Sequence, residues 1–179
     1  MKQRREMKRV WIFGALLATF FVVSVVVVPV SMAEDVNPYG GAKVSPPAVT
    51  EVILTVSKGR LSKGLSMKDL LAMKSANLVI HEPFVKKVQS FRVIQLKEIF
   101  ALVGIKGADR VQTIALNDYI YTNTAENFLL SKGYLAIARS GKPIGYDQGG
   151  PIRIIFPDKS KWSKFLDPWN WSLKKIRVA

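Results

Sequence analysis

Two strand-like runs separated by a Gly-Gly-Pro break, in a chain with no cysteine, constrain this sequence more than any other feature. Residues 134–139 (YLAIAR) mix aromatic and apolar members in the manner of a strand. They lead through Ser140-Gly141-Lys142-Pro143, a turn-forming string, to Gly149-Gly150-Pro151 and a second run at 152–156 (IRIIF). A strand, a turn, a sharply bent backbone and a second strand are therefore expected. The lack of cysteine removes disulfides from the stabilising forces and thiolates from the possible metal ligands.

At 179 residues there is room for one ordinary domain preceded by a leader. Lys2, Arg4, Arg5, Lys8 and Arg9 form a basic start, followed by an apolar run over residues 10–30. Val30-Ser31-Met32-Ala33 then offers small residues where a signal peptidase reads, so residues 1–33 are expected to be a signal peptide cleaved after Ala33. The run nearly matches the roughly 20 apolar residues of a bilayer span, so an N-terminal membrane anchor is the alternative. No cysteine follows the run, which excludes a lipoprotein anchor. Arg4-Arg5 resembles a twin-arginine pair, but Met7 and Lys8 and the very hydrophobic core suit the general secretory route. The expected location is the periplasm or its extracytoplasmic equivalent.

Of 27 Lys/Arg and 13 Asp/Glu, five and one lie in residues 1–33, which leaves a mature net charge of +10. A basic exported domain is attracted to anionic lipid head groups, acidic proteins or small anionic ligands. A solvated lysine-rich surface is the simpler account of the same charge. Nucleic acid is not an expected partner, because no nucleic-acid-binding motif is present.

Residues 34–50, with Asn37-Pro38, Gly40-Gly41 and Pro46-Pro47, lack periodicity and read as a linker or extended arm. The domain is expected over 51–179. Strands are expected at 52–57, 77–84, 88–93, 111–116 and 119–121, and the chain closes with apolar positions at Leu173, Ile176 and Val178. Lys58-Gly59 and Lys63-Gly64 read as turns, and Ser66 with Asp69 as a capping box. A helix over 96–103 ends at Gly104, and Thr124 can cap a short helix over 125–130. Strands and short helices follow no regular alternation, so the class is α+β.

Several of these stretches resemble the sulfite oxidase-like, molybdopterin-binding fold over residues 51–179. Gly149-Gly150-Pro151-Ile152-Arg153-Ile154 is similar to the family's GGP(I/L)R(I/L) strand opening. Residues 90–100 (SFRVIQLKEIF) resemble its Y-R-G-(V/F)-P-L-x-x-L-L segment, with Val93 and Gln95 in place of Gly and Pro. Leu116-Asn117-Asp118-Tyr119 resembles L-D-G-Y, so Asp118 is expected to take the positive φ of the family's glycine. Catalytic members carry a molybdenum-binding cysteine just after the strand before Y-R-G, where this chain has His81-Glu82-Pro83-Phe84. That stretch and Trp169-Asn170-Trp171 resemble short, exported, cysteine-free relatives. The resemblance implies mixed β-sheets with short helices. It also implies no catalytic residues and no cofactor, since molybdenum needs a soft thiolate.

The candidate ligand-binding residues are His81, Glu82, Asp118, Tyr119, Tyr121, Tyr146 and Arg153. They fall in segments 81–84, 117–121 and 146–150 with Arg153, which meet around the cofactor in the family resembled. His81 is the only histidine and has no companion His or Cys to complete a metal set, so no metal site is expected. A structural hydrogen bond is its simpler role. Glu82 reads as a charge at the pocket rim, with no second titratable group beside it to make it a base. Arg153 points opposite Ile152 and Ile154, either to grip an anion or to face solvent. Arg139, Asn123 and Asp147 belong to the same loops and strand ends. Trp162, Trp169 and Trp171 form either a core lid or a docking surface, and burial of two indoles contributes several kcal/mol at about 25 cal/mol per Å².

Three functions fit. The first is an exported, non-catalytic binding or accessory module that recognises a small anionic ligand or an envelope protein. The second is a molybdopterin oxidoreductase that manages without the cysteine. The third is a basic envelope-surface protein for adhesion or assembly.

Overall fold

A computed structural model of the chain describes residues 47–179, which belong to one compact unit. The expected signal peptide, its cleavage site and nearly all of the expected arm lie outside the described residues. The domain is α+β, with two mixed or antiparallel sheets and three one-turn-and-a-half helices.

The first sheet has the order β2-β1-β9-β5-β6, from β1 (Val52–Lys58), β2 (Leu61–Ser66), β5 (Arg110–Ala115), β6 (Ile120–Thr124) and β9 (Leu173–Val178). β9 lies parallel to β1 and antiparallel to β5, so the last strand sits in the middle. The second sheet has the order β3-β4-β7-β8 and is antiparallel throughout, from β3 (Ala76–Glu82), β4 (Lys87–Gln95), β7 (Tyr134–Arg139) and β8 (Arg153–Ile155). Helices α1 (Met67–Ala72), α2 (Leu96–Ala101) and α3 (Ala125–Leu130) connect them.

Local chemistry explains the helix starts. The Ser66 side chain accepts from the Asp69 N–H, and Asp69 Oδ2 accepts from the Ser66 N–H at 2.8 Å, a complete capping box. Thr124 accepts from the Asn127 N–H at 3.2 Å and starts α3 where expected. The helix expected over 96–103 ends at Ala101. Leu102, Val103 and Gly104 instead make bonds three residues back, and Gly104 closes the turn at φ +67°.

One expectation fails outright. Lys63-Gly64 is not a turn but the middle of β2, where Lys63 pairs with Val56 and Gly64 with Thr55. The turn is Gly59-Arg60, between the paired Lys58 and Leu61, with Gly59 at φ +56°. The loop at Ser140-Gly141 is a two-residue hairpin in which both residues take positive φ (48° and 77°) and Arg139 and Lys142 exchange both backbone hydrogen bonds.

One hydrophobic core draws on both sheets and all three helices, from Leu54 and Val56 through Phe91, Phe100 and Phe128 to Ile176. The compact unit begins at Asp35, and among the described residues every member of the core lies between Leu54 and Ile176. Three backbone bonds tie the Gly-Gly-Pro segment to the approach of β9: Ser172 N–H to Gly149 O, Leu173 N–H to Ile152 O and Ile154 N–H to Asn170 O. Among the described residues no helix is long and apolar enough to cross a membrane.

Candidate functional site

β8 is buried on both faces. Arg153 has no exposed surface, and it does so between Ile152 and Ile154, which are equally buried. It therefore does not face solvent. Its Nη2 donates to Glu82 Oε1 at 2.7 Å, and Glu82 is also fully buried. The position expected at a pocket rim is thus an interior anion. A buried carboxylate requires a cation and hydrogen bonds, and Glu82 has both. Its Oε2 accepts from the N–H groups of Phe84 (2.9 Å) and Val85 (2.8 Å), which fixes the turn between β3 and β4.

Aromatic rings enclose the pair. The Arg153 guanidinium carbon lies 4.2 Å from the Trp171 ring centre and 5.8 Å from that of Phe84. Phe84 in turn meets Trp171 at 4.5 Å and Trp169 at 6.2 Å, both edge-on. The segment of Trp169 and Trp171 is not a strand, yet the two indoles share one partner. Asn170 turns the other way and donates to the Thr113 carbonyl at 2.9 Å.

The two glycines of the break are fixed by this packing. Gly149 has φ +77°, and a Cβ there would sit 2.8 Å from Trp171 ring carbons. A Cβ on Gly150 would lie 2.1 Å from the Ile144 carbonyl oxygen. The Gly150–Pro151 peptide is cis.

The remaining candidates sit elsewhere. His81 is exposed on the outward side of β3 opposite Val88, and its backbone N–H donates to Asp158 Oδ1 at 2.8 Å. Asp118 has the positive φ its motif position requires, +65°, and its carboxylate pairs with Lys174 at 2.7 Å. Tyr119 is exposed and its hydroxyl donates to the Asp167 carbonyl at 3.1 Å. Tyr121 is half-buried, accepts from Asn123 Nδ2 at 2.8 Å, and its ring meets Phe128, Trp162 and Phe165. Burial raises the pKa of both tyrosines, reinforced by Asp167. Arg139 donates to Gln148 Oε1 at 2.7 Å.

Tyr146 lines a cleft of about 300 Å³ with Val52, Leu116, Pro151, Lys174 and Lys175, and Glu51 also borders it. Partial burial raises the Tyr146 pKa first, and nearby Glu51 adds to it, so the phenol stays a proton donor at neutral pH. Neither the 81–84 strand end nor the 117–121 turn contributes to these walls; only Leu116, next to that turn, does. The candidates therefore divide between an enclosed Glu82–Arg153 pair and an open cleft at Tyr146. Sequence reasoning missed Lys174, Lys175 and Val52 as cleft residues. Their signal was the Lys174-Lys175 doublet in the final strand, which becomes meaningful only once β9 is known to lie beside β1.

No family model matches the chain, and no curated protein does. Among solved structures 18 chains match, including the sulfane dehydrogenase SoxCD from Paracoccus pantotrophus, 11% identical with a TM-score of 0.55. The match covers 84% of this chain and 49% of that one, so this chain spans about half the length of that protein. At such identity the likeness is one of fold: a distant structural relationship to an oxidoreductase.

Proposed function

We propose that this chain is an exported, non-catalytic binding or accessory module on the sulfite oxidase-like, molybdopterin-binding fold, with a small anion as its ligand in the cleft beside Tyr146. The observation that carries the reading is the Glu82–Arg153 pair, 2.7 Å apart with both side chains fully buried. In the family resembled, the residues at the end of the strand corresponding to β3 supply a thiolate to molybdenum. Here they supply a carboxylate whose two oxygens are already engaged, by a guanidinium and by two backbone N–H groups.

The residues do not suit the metal. Cysteine is absent, and His81 stands apart on the outward face of β3. Among the described residues no three His, Cys, Asp or Glu side chains cluster. A hard carboxylate committed to arginine is a poor replacement for a soft thiolate. The module is therefore expected to carry neither molybdenum nor pterin.

The Tyr146 cleft has the features an anion needs. Its volume falls at the small end of ligand sites, roughly 300–1,000 Å³. Lys174, paired with Asp118 at 2.7 Å, and Lys175 put two ammonium groups at the cleft, and Tyr146 supplies a phenolic donor.

Calorimetric titration of residues 34–179 with acetate, sulfite and phosphate tests the reading. Lys175→Ala is expected to weaken the bound anion about tenfold or more, the usual worth of a hydrogen bond to a charged group. Binding by none of the anions, or unchanged affinity in Lys175→Ala and Tyr146→Ala, removes the cleft from the account. Near-stoichiometric molybdenum on metal analysis, with pterin fluorescence after oxidation, restores the oxidoreductase.

A further inference from the structure

The loop between β8 and β9, residues 156–172, buries one side and exposes the other. On the inner side Trp162 and Trp169 are almost fully buried, and the Trp169 indole N–H donates to the Trp162 carbonyl at 2.8 Å. Phe156 meets both rings, at 5.4 and 5.7 Å, so the loop stands on a rigid aromatic base. On the outer side Phe165 and Leu166 remain 45% and 41% exposed, although Phe156, Trp162 and Trp169 beneath them are buried. Lys159, Lys161 and Lys164 are exposed around them.

Two neighbouring elements extend this surface. At one end, Asp158 accepts from His81 N–H and Trp169 meets Phe84, so the loop abuts the β3–β4 turn. That turn presents Phe84, 39% exposed, and the exposed Lys86 and Lys87. At the other end, the Asp167 carbonyl accepts from the Tyr119 hydroxyl and Phe165 meets Tyr121 at 6.4 Å, so the loop abuts β6. Tyr119 and Ile120, 43% and 47% exposed, continue the apolar area there.

We propose that this surface docks on an anionic phospholipid bilayer. Charge complementarity selects that occupant. Five lysines face Asp158 and Asp167, Asp118 is already paired with Lys174, and the mature chain as a whole is strongly basic. Exposed rigid apolar tips ringed by lysines match an interface in which rings enter the head-group region and ammonium groups stay at the phosphates. The inference is independent of the Tyr146 cleft and of any small ligand.

Co-sedimentation of residues 34–179 with lipid vesicles is the test, because that chain keeps the compact unit with every described core residue and lacks the apolar run of residues 10–30. Binding is expected to phosphatidylcholine vesicles containing phosphatidylglycerol and not to phosphatidylcholine alone, and it should weaken as salt rises. Lys159→Glu/Lys161→Glu/Lys164→Glu is expected to lower partitioning by at least about fivefold per lysine. Phe165→Ser/Leu166→Ser is expected to lower it several-fold while a cooperative thermal transition is retained, since neither side chain belongs to the buried core. A variant with the same charge change outside the surface, Lys97→Glu/Lys106→Glu/Lys132→Glu, is expected to retain most of the binding. Equal binding to neutral vesicles, equal loss in the control variant, or full binding by the Phe165/Leu166 variant overturns the proposal. So does absence of vesicle binding, and capture of an acidic protein through Phe165 would then assign the surface to a protein partner.

Discussion

Removal of the Glu82 carboxylate would take from the buried Arg153 guanidinium, beside the Trp171 ring, its 2.7 Å ion pair. Truncating one partner of such a pair costs about 3–5 kcal/mol, whereas a well-packed apolar replacement of both can be nearly neutral. Glu82→Ala is therefore expected to lose about that much stability in urea denaturation, and Glu82→Leu/Arg153→Met to lose less than either single change. Additive losses would mean that the two residues act separately. The sequence made Arg153 visible as a basic residue in an apolar strand, but not its partner, 71 residues earlier in the chain. Alternation along one strand predicts which way a side chain points; it cannot tell that both directions are interior. Gly149 was better marked, because a Gly-Gly-Pro string signals backbone that other residues cannot follow. Gly149→Ala is expected to destabilise by about 2 kcal/mol or more, from a left-handed φ of +77° and contact with the Trp171 ring at 2.8 Å. Chemical denaturation would show it, together with a changed environment for Trp171 fluorescence.

Among the elements, capped helices were legible and the edge strand was not. Ser66 and Asp69 announce α1 because a capping box is a contact within four residues. β2 was missed because Ser62-Lys63-Gly64 has poor strand propensity, and its extended form comes from pairing with β1. A lysine and a glycine on an edge strand also discourage pairing with another chain, so the composition that hid the strand suits its place. The caps carry a pH dependence. Hydrogen bonds from Ser66 hold the Asp69 carboxyl below its ordinary 3.8, and the Lys106 N–H and Lys58 do the same for Asp109. A depressed carboxyl pKa contributes stability that is complete above the ordinary value and is lost as pH falls through it toward the folded value. Stability of the wild type is therefore expected to fall below about pH 4, and Asp69→Asn and Asp109→Asn to fall less steeply there. An unfolding series across that range checks the slopes. Ser66→Ala is expected to cost about 1 kcal/mol at neutral pH.

At the scale of the whole molecule, the irregular order of strands and short helices was enough to place the chain in the α+β class, because that order reflects local periodicity. The assignment of strands to two sheets was not legible, since it depends on contacts across the full length of the domain. β9 is the clearest case. Its apolar positions Leu173, Ile176 and Val178 are visible in the sequence, but its place between β1 and β5 is not. There it buries Leu173 and Ile176, bonds in parallel to one neighbour and antiparallel to the other, and carries the cleft lysines 174 and 175. Without it the first sheet separates into two hairpins, β1–β2 and β5–β6, and isolated two-stranded hairpins are marginal in water. The three backbone bonds that hold the Gly-Gly-Pro segment also come from residues 170–173, so loss of the strand would loosen the bed of the Glu82–Arg153 pair. Deletion of residues 173–179 is therefore expected to abolish the cooperative unfolding transition of residues 34–179, whereas Ala179 alone should be dispensable. Calorimetry of the two truncated chains decides the point: a retained cooperative transition without β9 would mean that the second sheet and its helices form a core of their own.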